Sequence, residues 1–142
     1  MQVPLNEFNP EQRLWYAHLI IAAIKSDESV APQEMSHLIM AMHFLTREEK
    51  EEAQITLRMK TTIPGLNKIP GGIDKAMLAA IYSDIVRVVI SDGKLTVKEQ
   101  AFLAQMRDLF HFEIVIDAGL QEWTREMLEL EQRRRKLIAE VK

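Results

Sequence analysis

From residue 116 to residue 141 one side of the chain repeats in alternating steps of four and three: Ile116, Leu120, Trp123, Met127, Leu130, Arg134, Leu137 and Val141. Arg134 is the one interruption in an otherwise apolar series. A repeat of this period gathers on one face of an α-helix and scatters over both faces of a strand. The tract is therefore a long helix with a heptad seam. No period-two alternation comparable to it occurs elsewhere in the chain, so the expected fold class is all-α, without strands.

Upstream, start and stop signals divide the chain into further helices. Asn9-Pro10-Glu11-Gln12 supplies a cap residue, a proline at the first helical position and a glutamine where a capping-box partner belongs. The first helix should run from there to about Ser26, with Leu14, Trp15, His18, Leu19, Ala22 and Ala23 forming one inward stripe. A second helix is expected from Pro32 through Met35, Leu38, Ile39, Met42 and Leu45. Thr46-Arg47-Glu48-Glu49 opens a third, largely charged and so a surface helix, reaching Lys60. A fourth begins near Ile73 and ends at Ser91-Asp92-Gly93, and a fifth opens at the capping box Thr96-Val97-Lys98-Glu99. Between the third and fourth, residues 61–72 carry two prolines and three glycines and form the main internal connection.

With 142 residues the chain is sized for a single domain with one core. It has no cysteine, which removes disulfides, zinc-thiolate sites and cysteine nucleophiles. A net charge of -3 does not provide the concentrated basic surface that nucleic acid demands. Residues 1–9 lack the basic segment and apolar core of an export signal, and no apolar run reaches membrane-spanning length. A cytoplasmic location is expected. The glycine spacing of the 63–72 loop matches no phosphate-binding fingerprint, and no GxSxG or HExxH arrangement is present. Leu66 and Ile69 in that loop are either ordinary connection or residues shown to a partner.

A shift of 65 residues lays Ile20-Ile21-Ala22-Ala23-Ile24-Lys25-Ser26-Asp27 on Ile85-Val86-Arg87-Val88-Val89-Ile90-Ser91-Asp92, and then Glu34 on Glu99 and Leu38 on Leu103. This defines two hairpin repeats of a pseudo-symmetric bundle, at about residues 10–60 and 73–112, followed by a C-terminal helical extension over 113–142. The run Val88-Val89-Ile90-Ser91-Asp92-Gly93-Lys94-Leu95-Thr96-Val97-Lys98-Glu99-Gln100-Ala101-Phe102-Leu103 resembles the signature of TerB-like domains, found in tellurite-resistance proteins and in membrane-anchored DnaJ-like co-chaperones. The similarity spans residues 14–112. At the first turn Glu28 stands in place of the glycine and Ala31 in place of the hydroxyl cap. The resemblance implies an all-helical, pseudo-twofold module for sensing or interaction, linked to stress or metal response, with acidic residues near the two turns as metal ligands.

Asp27, Glu34, Asp92 and Glu99 are the candidate ligands, with Asp84, on an otherwise apolar face, as an additional one. Such an oxygen-rich set suits calcium, magnesium or manganese. The same residues have a second reading: Glu99 completes a capping box and Asp92 precedes a stop glycine, roles that satisfy helix ends without an ion. His37, Met40, Met42 and His43 contain soft-metal donors, but helical geometry spreads them around the axis. The heptad seam, represented by Trp123, Met127, Leu130, Arg134 and Leu137, is either packed on its own domain or paired with a protein partner or a second copy. The basic run Arg133-Arg134-Arg135-Lys136 adds weak peripheral membrane contact as a further option. The leading functional expectation is a non-enzymatic sensing or interaction module that binds a divalent cation through the turn carboxylates. A ligand-free dimerisation domain and a metal-dependent hydrolase are the alternatives.

Overall fold

The computed structural model describes residues 3–26, 42–43, 45–58, 66, 68–90 and 95–141, with the side chains of residues 56–58 excepted. The regular structure in these segments is all helical. A 3-10 turn at Leu5–Glu7 leads into α1 (Pro10–Lys25), α2 (Arg47–Arg58), α3 (Lys75–Val89), α4 (Val97–Leu109) and α5 (Ile114–Ala139), and no strand occurs among the described residues. Asp27, Glu34, Asp92, His37 and Met40 lie outside the described residues, as does most of the helix expected after Pro32.

The starts of the helices follow the cap chemistry. Asn9 accepts from the Gln12 N–H at 2.9 Å while the Gln12 side chain accepts from the Asn9 N–H at 2.9 Å. Thr46 with Glu49 and Thr96 with Glu99 repeat this reciprocal arrangement at α2 and α4. At α3 the cap is Asp74, whose carboxylate accepts from the Met77 N–H, so this helix starts two residues later than the apolar pattern suggests.

α1 is the centre of the molecule rather than a helix with one inward stripe. Trp15, Leu19 and Ala23 are buried as expected, but so are Tyr16, Ala17, Ile20, Ile21 and Ile24, while Leu14, His18 and Ala22 are only half-buried. A helix apolar on most of its circumference must be covered on most sides. α1 packs on α2 and α3, and α3 in turn packs on α4 and α5. α2 is the surface helix its charges imply, with Ala53 buried and Glu48, Lys50, Glu51 and Gln54 exposed.

An aromatic cluster closes the core where α1, α3 and the end of α4 meet. Phe110 lies 6.0 Å from Trp15 and 6.2 Å from Tyr82, and Phe112 packs edge-on to Tyr82 at 5.5 Å. Phe112 reaches this position through a sharp helix end. His111 adopts φ +57°, the Phe112 N–H donates to the Arg107 carbonyl at 3.0 Å, and the His111 N–H donates to the Asp108 carbonyl. This is a Schellman stop with histidine where glycine usually sits.

Candidate functional site

Two of the five candidate carboxylates are described, and both have protein partners. Glu99 is 1% exposed and is held by the N–H of Thr96 at 3.0 Å. Asp84 accepts a 2.8 Å hydrogen bond from the Tyr16 hydroxyl. Burial pushes the Asp84 carboxyl above its ordinary range against the opposing pull of Tyr16 and Arg87, and burial beside Asp84 pushes the Tyr16 phenol up as well. Among the described residues no group of three or more histidines or acids is placed to hold a metal ion. Of the soft-donor cluster, Met42 is half-buried against the core and His43 is exposed.

The internal loop is fastened to α1. Trp15 Nε1 donates to the Leu66 carbonyl at 3.3 Å and Gln12 Nε2 to the Gly71 carbonyl at 2.9 Å. Leu66 and Ile69 pack against the core, so the loop faces inward with the side chains that sequence left open for a partner. Gly72 adopts φ +85°, which favours glycine, and a Cβ there would stand 2.9 Å from Gln12 Nε2 and displace it.

The surface that stands out is on α5. Its 26 residues make a rod about 39 Å long at 1.5 Å per residue. The face it turns to the body is unusually polar. Asp117 and Thr124 are buried there, with Leu120, Gln121 and Leu128 half-buried. Asp117 accepts from the Tyr82 hydroxyl, from Gln121 Nε2 at 2.9 Å and from Arg107 Nη1 at 3.5 Å, which ties α5 to both α3 and α4. Burial, together with Asp117, pushes the Tyr82 phenol up, so this hydroxyl stays a donor. Thr124 satisfies its own hydroxyl on the Leu120 carbonyl at 2.7 Å. A second tie joins Arg87 of α3 to Glu131 further along the rod, at 2.9 Å. Asp117 was not singled out by sequence reasoning. Its only signal there is a carboxylate one turn from a glutamine and amid aliphatic residues.

The heptad seam lies about a quarter-turn away from this docked face. Trp123 is 52% exposed, Leu130 62% and Leu137 58%, and Ile116, Ile138 and Val141 are exposed beside them. Met127 is half-buried and Arg134 exposed. Beyond Glu131 every described residue of α5 is exposed, so its end projects from the body. Charge is segregated along the rod. Residues 113–131 contain Glu113, Asp117, Glu122, Glu126, Glu129 and Glu131 against Arg125 alone, whereas residues 132–142 contain Arg133, Arg134, Arg135, Lys136 and Lys142 against Glu140 alone. Each end carries the sign that the helix dipole favours.

No helix among the described residues is long and apolar enough to cross a membrane. Comparison of the chain with protein-family models, with curated proteins and with solved structures finds no match.

Proposed function

We propose that this protein is a non-enzymatic, TerB-like interaction module whose working surface is the seam of α5, the site at which it takes a helix of another polypeptide. One observation carries the reading: α5 is tied to its own domain through Asp117 and Glu131, with Leu120 and Leu128 against the core, and leaves Trp123, Leu130 and Leu137 of its heptad seam exposed. A helix that merely packed on its domain would bury the seam, because each large apolar side chain removed from water contributes about 1.5–3 kcal/mol. A row of exposed Trp and Leu rimmed by charge is the anatomy of a protein-docking face. The pseudo-symmetric repeat belongs to the same reading. α1 and α3, which the 65-residue shift superposes, pack directly on each other, and such a pair makes a rigid base for a projecting helix.

The test is the native size of the protein in extracts of its own cells. The unmodified chain should elute well above its 16.4 kDa, and Trp123→Glu with Leu130→Glu should reduce it to monomer while leaving its melting temperature nearly unchanged. A wild-type protein that is monomeric in fresh extract overturns the proposal.

A further inference from the structure

The pattern of the seam points to its occupant. We propose that α5 pairs with α5 of a second copy of this chain in antiparallel orientation, an inference that rests on the reading of the seam as the working surface.

The first argument is charge. The acidic stretch over 113–131 and the basic stretch over 132–142 repel themselves in a parallel pair and attract one another in an antiparallel one. An isologous twofold interface places each stretch on its complement twice.

The second argument is register. Antiparallel helices fill their shared core by setting each seam position of one kind against the other kind on the partner. Exactly one alignment uses the whole seam, with Met127 against the partner's Leu130 at its middle. It brings Ile116 to the partner's Val141, and sets Leu120, which is half-buried against its own core, beside the partner's Leu137. Arg134, the interruption in the apolar series, then falls on the partner's Trp123. An arginine over an indole face is a favourable cation–π contact, whereas the parallel alignment would stack Arg134 on its own copy. The flanking positions agree, because Glu126 comes opposite the partner's Arg133 and the symmetry repeats the pair. A charged residue that is a defect in one orientation becomes a specificity element in the other.

The absence of cysteine provides a clean background for the experiment. Full-length Ile116→Cys and Val141→Cys proteins, altered at two exposed positions that the alignment pairs, are purified separately, mixed and oxidised, and light scattering is run on the unmodified chain. The expected result is a dimer mass for the unmodified chain, a disulfide-linked dimer from the mixture, and no linked dimer from either variant alone. In the same assay Glu126→Arg and Arg133→Glu should each weaken association about tenfold, and the double exchange should restore it. Linkage of Val141→Cys to itself means a parallel pair and overturns the proposal. So does a purified chain that stays monomeric at the highest attainable concentration, whether or not it binds anionic vesicles. If that monomer nevertheless comes from a protein that is large in cell extract, the partner is a different polypeptide, and the docking reading survives while self-pairing does not.

Discussion

Asp117 shows how much one side chain can decide here. It accepts hydrogen bonds from Tyr82, Gln121 and Arg107, and so joins three helices through one carboxylate. Asp117→Ala leaves the buried Tyr82 hydroxyl with only a long 3.5 Å bond to the Leu103 carbonyl and should cost about 2–3 kcal/mol of stability in urea unfolding. Tyr82→Phe in the same background should add little, since the two losses are one interaction. At His111 the sign reverses. Glycine tolerates the positive φ without strain, so His111→Gly should stabilise by about 0.5–1 kcal/mol. His18 gives the chain a pH dependence. Burial lowers its pKa below 6.5 in the folded state despite the opposing charge of Glu52, and its buried Nε2 has no hydrogen-bond partner. The unfolded chain therefore binds the proton first, and stability should fall as pH drops through about 6.5. His18→Gln should flatten that slope in a series of thermal melts. Thr96→Ala should cost about 1 kcal/mol with or without chelator, as expected for a cap at Glu99.

The element scale separates what a sequence displays from what it conceals. Helix starts were legible because a cap is local chemistry: Asn9, Thr46 and Thr96 make the bonds their spacing implies. The stop at His111 was not, since no glycine marks it and the left-handed turn is enforced by Phe112 reaching the aromatic cluster. For α5 the seam itself was legible, but which face docks on the body was not. Periodicity assigns apolar residues to the interior, and the actual attachment also uses Asp117 and Glu131, whose partners Tyr82 and Arg87 lie on a helix distant in sequence. Asp84 likewise reads as an oddity on an apolar face until Tyr16 is found beside it. The candidate site was thus half visible: its residues, but not their exposure. Leu130→Glu should therefore change the stability of the dilute, isolated chain by less than about 0.5 kcal/mol, whereas Ile85→Ala, in the core, should cost about 3 kcal/mol.

In the whole molecule, α1 acts as the pillar, α3 as the bracket and α5 as the arm. The core runs from Phe8 to Phe110, and the arm is attached to it by Leu120 and Leu128 and by polar ties at Asp117 and Glu131. Such an attachment sets the arm's orientation and leaves its apolar seam available, which is the central claim here. The most direct measurement is photo-crosslinking in living cells from a benzophenone amino acid placed at Trp123, on the seam, and at Arg125, on the opposite flank of the same helix. A discrete protein adduct is expected from position 123 and none from position 125. Equal adducts from both positions, or none from 123, would contradict it.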